Sequence, residues 1–313
     1  MTDRLAEPTG DPAGRPTPAA PGHTVEPDRH GQSDRRRNSG AASARSLLMT
    51  ILGEFALPGN APVWTATLVS ALAALDVEEK ASRQALARAA AEGLLDAERI
   101  GRRTRWTLSD RGRQLLQEGA ARIYGFMRAQ RRWNGNWLIV AVTVPETQRQ
   151  LRHHLRTRLT WAGLGSPAPG LWVTPDEAAI GEVSKIIADL DVGQSAMSWV
   201  GPSAEVGDPL QVVRSAWQLG AVEAAYHAFI TDFSGRSPAG GEAVFAAQVD
   251  LVQAWRHFPF ADPALPLELL DHEWPGPAAA ATFHHCHDRW HRQAQTHWRQ
   301  LCRGATPWFD PPS

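Results

Sequence analysis

Apolar residues recur at helical spacing from the first ordered stretch onward. Residues 44–57 place Leu47, Leu48, Ile51, Leu52 and Phe55 on one stripe, and residues 65–75 do the same with Leu68, Leu72 and Leu75. The break 58–62 begins and ends with proline, so two separate helices are predicted. A third helix is predicted from residue 78 to 93. Ser82, Ala85, Leu86, Ala89, Ala90 and Gly93 gather on one side of it, and Lys80, Arg83, Gln84, Ala87 and Arg88 on the other. Asp76 is expected to cap it, with Glu79 closing a capping box. Two short strands and a tight turn then carry Arg99, Arg102, Arg103 and Arg105, and Asp110 is the only acid between Arg99 and Arg113.

Farther on the period changes. Residues 110–127 read as a helix, and 136–144 form a nearly continuous apolar strand. A helix is expected to open at Pro145 and Glu146 and run to Trp161, followed by a loop at 163–170. Strands at 171–174 and 196–200 flank a helix at 183–190. Strand, helix, strand, helix, strand in so short a segment predicts a ferredoxin-like α/β sandwich with one strand poorly marked. The remainder reads as three helical stretches, 209–233, 242–258 and 277–302. The expected class is α+β and multidomain: a tail (1–42), a winged helix-turn-helix (43–112), a linker helix (113–135), a ferredoxin-like central domain (136–205) and a helical C-terminal domain (206–313).

Composition narrows the function. At 313 residues and a formal charge of −1, any nucleic-acid contact must come from local patches. Residues 1–42 carry six basic and six acidic residues and few large apolar ones, so they are expected to be disordered. Cys286 and Cys302 are the only cysteines, which implies no disulfide framework and fits a reducing cytosol. With no apolar run suited to a signal peptide or a membrane span, the expected location is cytoplasmic.

A helix that buries one stripe and presents Lys80, Arg83, Gln84 and Arg88 between small alanines on the other suits the major groove. Arg102, Arg103 and Arg105 beside it supply phosphate contacts. Basic helix faces are usually only solvated. Here the order helix, helix, helix, hairpin places these cations where a winged domain meets duplex DNA.

The long blocks SARSLLMTILGEFAL, GRRTRWTLSDRGRQLL and NWLIVAVTVPETQRQLRHHLRTRLTWAGLGSPAPGLWVTP resemble the phenylacetic acid degradation repressor family, the PaaX-like transcriptional regulators. The likeness runs from Ser43 to about Leu270 and more weakly to Cys302. It implies a homodimeric repressor with a winged helix, a central domain similar to the CRISPR-associated small endoribonuclease fold, and a helical C-terminal domain. It also implies control of aromatic-acid catabolic genes and release from DNA by an aryl-CoA thioester, typically phenylacetyl-CoA. The DNA-reading positions would then be Arg83, Gln84 and Arg88, with the wing at Arg102, Arg103 and Arg105. A different acyl-CoA or a metal could replace that effector.

Three further clusters carry possible chemistry. Arg149, Arg152, Arg156 and Arg158, with His153 and His154, could clamp the phosphates of an effector, although Leu151, Leu155 and Leu159 also describe an ordinary amphipathic helix. His284, His287 and His291 fall at metal-ligand spacing on one helix face, but exposed helical histidines commonly hold nothing, so no metal and no cofactor is expected. Trp217, Trp255, Trp290 and Trp298 could line an aromatic pocket or fill a core. A metal-dependent nuclease, the enzymatic alternative, would need an acid at the end of the first central strand. Thr143 and Val144 stand there instead, and Glu146 follows. The expectation is a regulator with no catalytic residues.

Overall fold

The computed structural model describes residues 42–128, 132–203 and 207–305. The expectation of a disordered tail therefore falls almost wholly outside the described residues.

Helix α1 (Ala44–Ile51) starts where the Ser43 hydroxyl accepts a hydrogen bond from the Ser46 amide, and it continues as a π-helical turn, Leu52–Ala56. The two-residue strand β1 (Val63–Trp64) leads into α2 (Thr65–Ala73), then α3 (Glu79–Ala91). The residue at the cap position is not the expected one. The residue preceding α3 is Glu78, with no side-chain cap bond, while Asp76 sits in the left-handed region at φ 61° and makes the turn between the two helices. Strands β2 (Leu95–Ile100) and β3 (Arg103–Leu108) pair antiparallel across Gly101 and Arg102, and the φ of 59° at Gly101 allows the two-residue turn. β1 joins the outer side of β3, giving the order β1-β3-β2.

Helix α4 (Asp110–Gly125) begins on the Ser109 hydroxyl, which accepts from the Gly112 amide and donates to the Gly93 carbonyl. Beyond it lie β4 (Asn136–Val142), α5 (Arg149–Trp161), β5 (Gly165–Ala168), β6 (Leu171–Thr174), α6 (Ile180–Asp189) and β7 (Ala196–Pro202). The sheet is antiparallel throughout, in the order β5-β6-β4-β7. This is the ferredoxin-like arrangement, and β5 is the strand missing from the sequence reading. Its sequence, GSPA, has no apolar alternation, and Pro167 cannot donate to a ladder, so it belongs on an edge. The helix expected to open at Pro145 starts only at Arg149.

The rest is helical: α7 (Pro209–Ala216), α8 (Leu219–Phe233), α9 (Gly241–Trp255), the single turn α10 (Phe258–Ala261) and α11 (Gly276–Ala305). The stretch expected as one helix, 209–233, breaks at Trp217, whose backbone is extended. Among the described residues no helix is long and apolar enough to cross a membrane.

Two hydrophobic cores result. Leu138, Val140 and Val142 of β4 pack under Leu155 and Leu159 of α5 and Val183 and Ile186 of α6. The larger core runs without interruption from Leu48 and Leu68 near the N-terminus to Trp255, Phe283 and Trp298 near the C-terminus. Helices α1 and α2 thus share one interior with α9 and α11, although the sequence separates them by the central sheet.

Gly112 lets α4 approach the start of the hairpin. A Cβ there would stand 2.1 Å from the Leu94 carbonyl oxygen. Gly112→Ala is expected to cost about 1–3 kcal/mol or more through this clash with backbone, read as a lower urea midpoint with an unchanged slope.

Candidate nucleic-acid interface and its buried junction

On α3 the sides fall as the sequence predicts. Ser82, Ala85, Leu86 and Ala89 are buried, whereas Lys80, Arg83, Gln84, Ala87 and Arg88 are exposed. Lys80, Arg83, Gln84 and Ala87 share one shallow open groove with Glu79. Arg83 is bound to Glu79 one turn earlier, N···O 2.7 Å, in a fully solvated pair that contributes little to stability.

The hairpin is fastened beside this face. Trp106 donates its indole N–H to Thr65 Oγ1 at 2.8 Å, and Thr65 donates to the Thr104 carbonyl at 3.0 Å. Those bonds tie β3 to the first turn of α2 and fix how far the hairpin stands from α3. Arg102 and Arg103 are exposed near its tip, and Arg105 is half-buried against Glu98 at 2.7 Å. Arg103 also reaches the Ala305 carbonyl at the end of α11, 3.3 Å away.

Behind this surface lies a feature that the sequence reading missed. Glu54, in the π-helical turn after α1, is buried and surrounded by donors from other parts of the chain. Tyr124 of α4 donates to Oε2, while Gln248 of α9 and His287 of α11 stand 2.9 Å from Oε1. His291 Nδ1 is 3.5 Å from that same oxygen. Gln295 donates to the Glu54 backbone carbonyl at 3.1 Å. The signal was present in the sequence: an acid inside the apolar stripe of residues 47–55.

Burial alone would raise the Glu54 pKa. The hydrogen bonds of His287 and His291, helped by Tyr124, reverse this and hold the carboxyl well below the usual carboxylate range. In turn the bond to Glu54 raises His291, against partial desolvation. Burial, and then Glu54, push the Tyr124 hydroxyl far up, so it stays a donor.

Of the His284, His287 and His291 face named from spacing, two members meet Glu54. His287 and His291 converge with Glu54, all three donor atoms lying within 4.8 Å of one another. His284 is not in the group: its buried Nε2 has no hydrogen-bond partner among the described residues, and desolvation, then Arg128, lower its pKa.

The four arginines of α5 differ in their surroundings. Arg149, Arg152 and Arg156 are exposed, Arg152 reaches the Glu146 carbonyl at 3.2 Å, and Arg158 is paired with Asp189 of α6 at 2.7 Å. The tryptophans divide. Trp255, Trp290 and Trp298 are core residues, whereas Trp217 lines a cleft of about 230 Å³ with Val213, Arg214, Leu219, Leu270 and Trp274. Trp217 lies so close to β5 that a Cβ on Gly165 would meet it at 2.5 Å. On the opposite edge of the central sheet, Met197 and Trp199 of β7 are exposed.

Three family models match the chain in succession. Residues 43–112 match "PaaX-like protein", 130–213 match "PaaX protein central Cas2-like domain", and 217–300 match "PaaX-like protein C-terminal domain". Over 258 residues the chain is 29% identical to "Transcriptional repressor PaaX" of Escherichia coli (strain K12), covering 77% of this chain and 78% of that protein. It also shares its fold with "Uncharacterized protein Rv0674 from Mycobacterium tuberculosis", at a TM-score of 0.59 and 23% identity over 82% of this chain and 99% of that one.

The raised His291 and depressed Glu54 set a pH window. Glu54 contributes stability that is present above its ordinary value of 4.5 and lost only as pH falls through its depressed one. His291 contributes stability that is complete below 6.5 and lost as pH rises through its raised value. With chelator present, urea unfolding should therefore show stability declining above pH 6.5, and His291→Gln should flatten that decline. A wild-type protein equally stable from pH 6 to 9 would contradict the assignment.

Proposed function

Because the chain belongs to the PaaX-like family, we propose that it is a DNA-binding repressor of phenylacetate-type catabolic genes, acting as a homodimer and released by an aryl-CoA thioester. The observation that carries the reading is the exposed basic side of α3, fixed beside an arginine-bearing hairpin by the Trp106–Thr65–Thr104 bonds. We read 43–112 as a winged helix-turn-helix, with α3 entering the major groove and the β2–β3 turn lying along the backbone. On that reading Arg83, Gln84 and Arg88 read bases, and Lys80, Arg102, Arg103 and Arg105 hold phosphates. Glu79 must give up Arg83 when DNA arrives, so its side chain tunes affinity.

The dimer is best accommodated at β7. Among the described residues no strand pairs with its outer side, and Met197 and Trp199 are exposed, a combination that otherwise invites non-specific pairing. For the effector, the cleft at Trp217 and Trp274 offers an aromatic slot with Arg214 at its rim, although Asp271 holds Arg214 at 3.0 Å. The exposed Arg149, Arg152 and Arg156 are the remaining candidates for CoA phosphates. The relationship to a named repressor favours a non-enzymatic role over nuclease chemistry in the central domain.

Mobility shifts across a salt series test the DNA assignment on an inverted repeat with half-sites about 10–20 bp apart. Arg83→Ala and Arg88→Ala should relax sequence preference, each costing about 1–3 kcal/mol. Arg103→Ala should weaken all sequences alike and reduce the salt slope by about one. Binding by the triple variant as tight as wild type would sink the reading. Phenylacetyl-CoA, but neither free phenylacetate nor acetyl-CoA, should release the complex.

Trp199→Glu should convert the dimer to a monomer in analytical ultracentrifugation while leaving the circular dichroism unchanged. A dimer of unchanged strength would move the interface elsewhere.

A further inference from the structure

We propose that Glu54, His287 and His291 form a binding site for a divalent first-row transition metal, zinc being the best fit, which clamps the π-helical turn after α1 to α11. Two imidazoles and one carboxylate make a donor set that such ions favour, and one that magnesium and calcium, which take oxygen ligands, do not. The two histidines lie four residues apart on α11, so their rings sit on one face with centroids 5.3 Å apart. His287 Nε2 and His291 Nδ1 both approach a single atom, Glu54 Oε1, at 2.9 and 3.5 Å. Gln248 Nε2 also stands 2.9 Å from that atom, so the two imidazole nitrogens crowd an oxygen that already accepts a hydrogen bond. An ion between them would satisfy both nitrogens and the carboxylate together.

The two distances to Glu54 suit this with little movement, and all three donor atoms lie within 4.8 Å of one another. Tetrahedral bonds of about 2.0–2.1 Å put neighbouring donors roughly 3.4 Å apart. The His291 to Glu54 separation is already there, and His287 must withdraw by about half an ångström.

The surroundings act as a second shell. Tyr124 and Gln248 orient the carboxylate through hydrogen bonds, and Asp288 Oδ1 lies 3.8 Å from His287 Nδ1, the ring nitrogen that the ion would not use. Glu54 is already held anionic. His291 is nearly half exposed, so the ion has a way in from solvent, and a water can take the fourth position. The neighbouring His284 and His285 lie outside the group.

The test uses the full chain stripped with chelator, then titrated by calorimetry with Zn²⁺ and by visible absorption with Co²⁺. The expected result is one ion per chain, a Co²⁺ spectrum of tetrahedral or five-coordinate type, and an unfolding temperature several degrees higher with Zn²⁺. His291→Ala should weaken binding by about tenfold or more and abolish that spectrum, and His285→Ala on the same helix should change neither. Glu54→Gln, which keeps the shape of the side chain, should also lose the ion. Failure to bind either metal would overturn the proposal. Binding that survives His291→Ala and disappears with His285→Ala would do so too, by assigning the ion to exposed helix histidines. Both readouts are made on free protein, so they stand or fall independently of DNA recognition.

Discussion

A carboxylate buried where α1, α4, α9 and α11 meet constrains the helical group that carries α3. Placing an ionised carboxyl in an apolar interior costs several kcal/mol unless donors surround it. The donors for Glu54 come from Tyr124, Gln248 and His287, on three other elements. None of those elements can shift without exposing its neighbours to an uncompensated charge, so the junction forms as a whole or not at all. Around it Ser46, Thr50, Gln253 and Arg256 make a second polar contact between α1 and α9. Phe55 packs on Phe245 and Trp298 with centroids 4.7 and 5.8 Å away. The basic side of α3 is therefore borne by a helical group whose interior is completed by the C-terminal helices.

Much of this was legible in the sequence, wherever a strong period coincided with a local signal. The apolar stripes fixed α1, α2 and α4, the alternation of small and basic residues fixed which side of α3 is buried, and the apolar run of β4 announced a central strand. β5 was not legible because an edge strand needs neither alternation nor a full set of donors, and Pro167 reads as a loop. Asp76 has the composition of a cap but lies two residues before the cap position of α3, in a turn that an aspartate can fill at positive φ. The break at Trp217 carries no glycine or proline. It arises because the indole is held against Gly165, a contact far away in sequence.

The site shows the same division. Local chemistry placed Lys80, Arg83, Gln84 and Arg88 on an exposed surface. The histidine group was only half visible, because helical spacing selects His284, His287 and His291 alike, and the choice among them is made by Glu54, more than two hundred residues away. An acid within the stripe Leu48, Ile51, Phe55 was the available clue, since a charge in an apolar stripe requires partners. The π-helical turn Leu52–Ala56, a rare element often found where a helix bends to serve a site, is the local adjustment that accompanies it.

These arrangements bear on how an effector in the Trp217 cleft could act on DNA. Trp274 lines that cleft and meets Tyr226 edge-on at 5.9 Å, Tyr226 lies 6.4 Å from Trp255, and Trp255 stacks on Phe283 at 4.8 Å. Phe283 in turn lies 5.8 Å from His287, the partner of Glu54. Packed rings of this kind transmit displacement well, because a close-packed interior has no slack to absorb it. Contiguity alone is not coupling, however, and a switch needs an element with two discrete arrangements. A buried charge with half its donors is worse than either extreme, so a displaced Glu54 junction would open as a whole. Moving the ring of Phe283 would act on His287, then on the anchorage of α1, and so on the helices that carry α3. For an aryl group to release DNA through this route it need not touch the DNA-facing side at all. It need only bind more tightly when the junction is open, and the size of that preference sets how far the equilibrium moves.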